Sequence, residues 1–375
     1  MSKTGLSAVL FDRKDHKNKW ELEELPLPET ENDGILIRVQ ATGICGSDLH
    51  VWRGDGKKPE DPKEEPKTLG HEMMGTVYKM GKNIKFDSLR NPLKEGDRVI
   101  FPYFFPCMSC YNCIRGEFGA CKFRSRKTYQ EWKYCNSGFS QYYYLKPPHF
   151  IFHAPEDLSN NSLVALNCAL AQVIEVFNVA KIDFGDNVVI QGAGGLGIYA
   201  TSVAREMGAN KVIVIDGQKP RLELAKKCGA SDTIDINEIS LPEERINLVK
   251  ELTDSIGADS VIELVGFPSV LEEGIKMCRM RGKYLEVGSI TLNNMINIDA
   301  NYLVTNQIRF LSFQHYDPWV IPNAVKFLQR TKNKYPLNNL ISHQFPLEDI
   351  NKAFQKSDWT SKNQNSEITR AIINP

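Results

Sequence analysis

Residues 188–216 read VVIQGAGGLGIYATSVAREMGANKVIVID: a β-branched run, a glycine-rich turn, a helical stretch and a second β-branched run. Gly192, Gly194 and Gly197 stand as G-x-G-x-x-G, with Gly195 and Leu196 completing the turn. In that setting the first glycine permits a tight turn, the second lets backbone approach a pyrophosphate, and the third lets helix pack closely on strand. The helix that follows offers free N–H groups and a positive dipole end to phosphates. Asp216 ends the second run, where a carboxylate accepts hydrogen bonds from the adenosine ribose and repels the extra phosphate of NADP, which favours NAD. Lys219 and Arg221 follow closely and temper that preference; Arg221 is counted with the cofactor-binding residues.

The turn sits inside a longer alternation. VVIQ, KVIVID, DTIDI, SVIELVG, KYLEVG and IRFLSF are six short apolar strands, separated in most cases by helix-like stretches. Such alternation predicts an α/β Rossmann domain, a six-stranded parallel doubly wound sheet, over residues 161–314. Residues 1–160 have a different grammar, with β-rich runs such as ILIRVQATG, MGTVYKMG and FSQYYYLKP broken by Gly and Pro, and predict a mostly-β domain with long loops. Residues 315–375 read as helix (PNAVKFLQRTKN), short strand (LISHQFPL) and helix (EDINKAFQKS). With 375 residues the chain exceeds what one hydrophobic core usually serves, so two domains are expected.

Cys107, Cys110, Cys113 and Cys121 form C-x2-C-x2-C-x7-C beside Pro106, Gly116 and Gly119. Four thiolates this close can enclose one zinc ion tetrahedrally with no open position, the structural kind of site. Such sites supply about 10 to 16 kcal/mol of apparent binding free energy in small peptides, more than a loop of this size gains by burial. The first three cysteines also share a ferredoxin spacing, but that run needs three residues and then a fourth cysteine followed by proline, whereas Cys121 comes later and precedes Lys122. The formal net charge is +0, which gives no reason to expect nucleic acid or an anionic membrane as partner. The N-terminus lacks a secretory pattern and no uninterrupted apolar stretch reaches about 18 residues, so the expected location is the cytoplasm. In that reducing compartment the nine cysteines suit metals better than disulfides.

Three more candidates lie far apart: Cys45 in GICGSDLH, His71 in LGHEMMG and Cys168 in ALNCALA. Spacing does not join them, and a buried free thiol or a hydrogen-bonded structural histidine explains each equally well. Taken in order, however, GICGSDLH, LGHE, the four-cysteine run, GAGGLG with its distal Asp216, and LISHQFPLEDINKAF resemble the medium-chain zinc-dependent alcohol dehydrogenases over nearly the whole chain.

That resemblance implies a GroES-like fold for the β domain and assigns residues 315–375 back to it. It implies a catalytic zinc held by Cys45, His71 and Cys168, with Ser47 accepting the alcohol proton and His50 relaying it outward. Asp48 and Glu72 match positions that orient a ligand histidine or tune the metal, and Glu72 approaches the zinc during substrate exchange. The implied reaction is hydride transfer between an alcohol and NAD, with two zinc ions per chain and a homodimer or homotetramer as the assembly. Polyol-type members carry Glu-Pro where this chain has Cys168-Ala169, so a simpler alcohol leads and a polyol or sugar is the alternative. A catalytically inactive nucleotide-binding regulator would be expected to lack some of these residues. Trp52 matches a pocket-narrowing ring; Tyr129, Trp132 and Tyr134 either line a larger channel or pack over the lobe. Cys135 is a poorer metal candidate, and Cys228 and Cys278 read as core cysteines in helices.

Overall fold

A computed structural model describes residues 3–11, 18–55, 66–124, 136–289, 295–358 and 369–375. Tyr129, Trp132, Tyr134 and Cys135 lie outside them. Two units emerge: unit 1 comprises residues 1–171, 315–330 and 341–375, and unit 2 residues 172–314 and 331–340. Residues 161–171, read from the sequence as part of the nucleotide domain, thus belong to unit 1, and 331–340 belong to unit 2.

The alternating runs of the first half form β1 (Thr4–Phe11), β2 (Lys19–Pro26), β3 (Ile35–Gly43), β4 (Glu72–Met80), β5 (Arg98–Ile100), β6 (Tyr142–Leu145) and β7 (Phe152–His153). Strands β1 and β2 make an antiparallel pair. The others enter a larger sheet in which β3 pairs antiparallel with both β4 and β6. Trp20, Phe139 and Phe354 pack with centroids 4.9 to 5.6 Å apart, at the heart of a cluster with Leu49, Ile350 and Ile373. Rings of this size bury far more apolar area than aliphatic side chains and dominate a core's energetics.

In unit 2 the β-branched runs become β8 (Asn187–Gln191), β9 (Lys211–Asp216), β10 (Asp232–Asp235), β11 (Ala258–Glu263), β12 (Cys278–Glu286) and β13 (Arg309–Ser312). Their order is β10-β9-β8-β11-β12-β13, and every pairing is parallel. The order reverses beside β8, the switch point where open sheets of this kind bind ligands beyond their carboxyl ends. Val189, Ile213, Val261 and Tyr284 are buried against helices, so these strands read as continuous apolar runs. Cys228 closes the helix Lys219–Lys227, whereas Cys278 opens β12 and is not helical; both are buried.

The tail returns to unit 1 with β14 (Ile341–Pro346) and β15 (Arg370–Asn374), which pair parallel, and β15 continues the large sheet against β3. The helical stretch Asn160–Ala180 is long and apolar enough to cross a membrane, which the sequence reading had not anticipated; 72% of its apolar window is buried inside the protein, as in a core helix.

Candidate active site and metal centres

Cys45 stands at the N-cap of the helix Gly46–Arg53, where its Sγ and the Asp48 carboxylate form a reciprocal cap. The Cys45 N–H donates to Asp48 Oδ2 at 3.0 Å, and Asp48 Oδ1 accepts from the Gly70 N–H at 3.3 Å. The same Oδ1 lies 3.3 Å from His71 Nδ1. A carboxylate at Nδ1 fixes the tautomer and leaves Nε2 free to coordinate. Ser47 Oγ lies 3.5 Å from that Nε2. One donor atom each from Cys45, His71, Glu72 and Cys168 lie within 4.8 Å of one another, so three candidates that spacing could not join are joined by the fold.

Cys168 reaches the cluster through a π-helical turn, Leu166–Leu170, which Ala165 opens in the left-handed region with φ 68. Single π turns concentrate at functional sites because they re-aim side chains. Asn167, fully buried, holds this one: its Nδ2 donates to the His71 and Phe101 carbonyls, each at 3.0 Å, and the Tyr316 hydroxyl donates to its backbone carbonyl. Glu72 begins β4 opposite Gly43, where an added Cβ would fall 2.4 Å from Glu72 Oε2. Arg370 donates to that Oε2, while the buried Oε1 has no hydrogen-bond partner among the described residues.

Charge is already sorted in this cluster. The hydrogen bond from Cys168 pulls the Cys45 thiol well below its ordinary range against the cost of burial. Contact with Cys45, with burial, pushes Cys168 well above it. Burial opposes a charge on His71, but Asp48 and Cys45 outweigh it and raise the imidazolium to about 10. A dication suits such donors: it replaces their protons and neutralises the thiolates. Two sulfurs, an imidazole and a spare buried carboxylate oxygen fit zinc.

In the four-cysteine lobe, Cys107 Sγ and Cys113 Sγ are 4.0 Å apart and Cys110 Sγ and Cys121 Sγ 3.9 Å. Zn–S bonds of about 2.3 Å at tetrahedral angles require edges of about 3.8 Å; these two edges are close to that, and all four sulfurs lie within 4.8 Å of one another. Backbone N–H groups of Ser109 and Cys110 draw the Cys107 thiol down to about 6, the Cys113 N–H lowers Cys110, and burial lifts Cys113 to about 12. Tyr111 and Ile114 point outward at 75% and 77% exposure, so the lobe has little apolar core to hold it.

At the glycine turn of unit 2, Gly192 has φ +98, and an added Cβ on Gly197 would meet the Gly192 carbonyl oxygen at 1.9 Å. The first and third glycines are therefore obligatory for the backbone. Nothing lies within 4 Å of a Cβ on Gly194, which leaves that side of the turn open. Gly195 and Leu196 begin the helix Gly195–Glu206. Asp216 anchors the turn: its Oδ2 accepts the Ala193 N–H at 2.7 Å and its Oδ1 the Gln218 N–H at 2.8 Å. Each oxygen keeps a lone pair for a further donor. Arg221 follows on the helix Lys219–Lys227, and Lys219 is paired with Glu238 at 3.0 Å.

Residues 31–156 match the alcohol dehydrogenase GroES-like domain and residues 195–330 the zinc-binding dehydrogenase domain. A probable D-xylulose reductase A from Neosartorya fischeri is 32% identical over 340 residues, covering 90% of both chains. The chain belongs to the medium-chain zinc-dependent alcohol dehydrogenase family. It is an oxidoreductase acting on CH–OH groups. A D-arabitol-phosphate dehydrogenase from Enterococcus avium is 28% identical over 335 residues, 89% of each chain. The crystal structure of an alcohol dehydrogenase from Thermotoga maritima, 28% identical, superposes with a TM-score of 0.88 over 100% of both chains.

Around this dehydrogenase's metal cluster, sequence reasoning missed several neighbours. The Tyr103 ring lies 4.8 Å from the His71 ring, and its hydroxyl is 2.9 Å from His315 Nδ1. Asn167, Tyr316 and Arg370 were missed as well; of the three, Asn167 alone gives a sequence signal, a polar group inside an apolar run. Trp52 packs against Phe354 at 5.8 Å, beside the unit 1 core. His50 lies on the same helix as Ser47, three residues on and so on the same face, with its Nδ1 2.6 Å from Asp55 Oδ2.

Proposed function

We propose that this dehydrogenase couples oxidation of a hydroxyl-rich secondary alcohol, a polyol or sugar alcohol, to reduction of NAD. The observation that carries the chemistry is the convergence of Cys45, His71, Glu72 and Cys168 on one point. Cys45, His71 and Cys168 hold the catalytic zinc in this reading, and Cys107, Cys110, Cys113 and Cys121 the structural one. A zinc ion with an open position supplies Lewis acidity that makes an alcohol proton easier to remove. Ser47 takes that proton and His50, steadied by Asp55, passes it outward. Asp48 keeps His71 in its coordinating tautomer. A bound nicotinamide dinucleotide would supply the hydride acceptor, and Gly192, Gly194, Gly195, Leu196 and Gly197 would hold it, with Asp216 for the ribose and Arg221 nearby.

The named relatives support the polyol class, since one is a D-xylulose reductase and another a D-arabitol-phosphate dehydrogenase. The Tyr103–His315 pair adds polar groups beside the metal donors. Cys168-Ala169 in place of Glu-Pro supports a simpler alcohol as the second reading. A nucleotide-binding regulator without chemistry fits poorly, because no ligand or relay residue is missing. The cysteine usage suits a reducing cytoplasm, and the sheet edge at β13 offers a surface for a homodimer or homotetramer.

Following NADH absorbance across simple alcohols, diols, pentitols and hexitols tests the substrate class. A polyol with the highest kcat/KM supports the reading, and no NAD reduction with any of them overturns it. Asp216→Ala should weaken NAD more than NADP; equal losses would remove the ribose assignment.

A further inference from the structure

Glu263 ends β11 and Glu286 ends β12, and the two are register partners on neighbouring parallel strands. Paired positions in a sheet lie about 5 Å apart with side chains on one face, so two carboxyls meet here. Glu263 is fully buried. Its Oε1 accepts the Val265 and Gly266 N–H groups at 2.5 and 2.7 Å, and its Oε2 accepts the Gly288 N–H at 3.2 Å. Glu286 Oε1 accepts the Ser289 N–H at 3.0 Å. The remaining oxygen, Glu286 Oε2, is buried with no hydrogen-bond partner among the described residues. No lysine, arginine or histidine is ion-paired with either carboxyl among the described residues. Glu263, sealed from solvent beside a half-buried carboxyl and without a cation, stays ionised only at a cost, and one proton held between the two carboxyls removes it.

The position of the pair gives it a task. The Leu264 N–H donates to the Gln191 carbonyl at 3.0 Å, and Val265 Cγ2 lies 2.9 Å from where a Cβ on Gly192 would stand. The turn that Glu263 holds therefore abuts the dinucleotide turn. The strand order places the ends of β11 and β12 across β8 from the end of β9, so a dinucleotide with its adenosine half at β9 would bring its other half toward them.

We propose that Glu263 and Glu286 hold one proton between them and so position the loops 264–267 and 287–289 that receive the nicotinamide half of the dinucleotide. The inference rests on the nucleotide reading of unit 2. Burial and the Glu286 charge raise Glu263 to about 8. Tyr284 feels the charges of both carboxyls, with its hydroxyl 3.3 Å from Gln191 Oε1, and the buried thiol of Cys278 and Glu273, the latter paired with Arg245 at 2.7 Å, act on that same tyrosine. Loss of the shared proton with rising pH sets two charges against each other and loosens both loops.

The experiment measures NADH and ADP-ribose affinities from about pH 6.5 to about pH 9.5, with infrared spectra of the cofactor-free protein over the same range. Wild-type affinity for NADH should fall about tenfold or more while that for ADP-ribose, which lacks nicotinamide, stays level. In Glu286→Gln the amide donates the same hydrogen bond at every pH, so NADH affinity should be flat. A protonated carboxyl band should vanish on alkalinisation in the wild type and be absent from the variant. A flat wild-type profile, an unchanged decline in Glu286→Gln, a parallel loss of ADP-ribose or a missing band would each overturn the proposal. If neither ligand binds the wild type, the nucleotide reading itself falls, and the infrared band still decides the shared proton.

Discussion

Arg370 donates to the Glu72 carboxylate with both side chains sealed from solvent, at 6% and 0% exposure. One strand from the chain's last residues thereby places its cation against a carboxylate of the metal cluster. Removing one partner of a buried pair strands the other's charge, which costs about 3 to 5 kcal/mol. Arg370→Met should lose stability on that scale in urea unfolding, and Arg370→Met with Glu72→Gln should recover much of it. Additive losses in the double variant would show that the two side chains are not coupled.

Asp48 touches three groups at once, so replacing it separates charge from shape. Asp48→Asn keeps an acceptor for the Cys45 N–H but removes the charge 3.3 Å from His71 Nδ1. Partners of ligand histidines typically account for about 10- to 100-fold in metal affinity. Chelator competition should show a loss of that size for one zinc ion while the second is retained. An unchanged affinity would mean the carboxylate serves only the helix cap.

The parts of this protein that were legible in its sequence are those governed by local rules. Six β-branched runs gave six strands because parallel strands buried on both faces must be apolar throughout. The glycine turn was legible because Gly192 needs a positive φ and Gly197 needs contact with backbone, and both demands are met by residue identity. Four cysteines within one loop carried their geometry in their spacing. By contrast Cys45, His71 and Cys168 meet only through tertiary structure, and resemblance alone had linked them. Asn167, which clamps the π turn, and Arg370, which arrives on β15, act over long sequence separations and leave no periodic trace. The start of the nucleotide unit falls later than the sequence reading had it, because the π turn Leu166–Leu170 runs straight into the helix Ala171–Ala180, with no loop to mark the change at residue 171.

His153 sits between Asp87 at 3.0 Å from Nδ1 and Asp97 at 3.1 Å from Nε2. Burial lowers its proton affinity, but both carboxylates raise it further, and the net direction is upward. A histidine whose folded value lies above the unfolded 6.5 contributes stability that is complete below that value and is lost as pH rises through the folded one. At 33% side-chain exposure solvent screening limits the effect to about 1 kcal/mol. Asp87 runs the other way: burial resists, yet Asn91 and His153 lower it, so its share is present above 3.8 and lost on acidification. The difference in unfolding free energy between wild type and His153→Asn should therefore shrink on going above neutral pH. A constant difference would show that the clamp carries no charge.

The four-cysteine lobe is predicted to depend on its metal more than on packing. Tyr111 and Ile114 are exposed, and the lobe is tied to the segment after residue 315 through the Asp317 side chain, whose Oδ1 accepts the Gly119 N–H at 2.8 Å. Cys113 is buried, and serine in its place offers a poorer ligand without changing shape much. Cys113→Ser should lower the zinc content from two ions to one, the two being those of the two donor clusters, and make the lobe the first site of proteolytic cleavage. Cys45→Ser should also leave one ion, but with a protease-resistant lobe and no dehydrogenase activity. The two variants thus lose the same amount of zinc and differ in what fails, which separates a metal that holds a loop from one that faces a substrate. Two zinc ions retained in Cys113→Ser, or a lobe equally resistant to protease in both variants, would show that packing rather than the metal holds it.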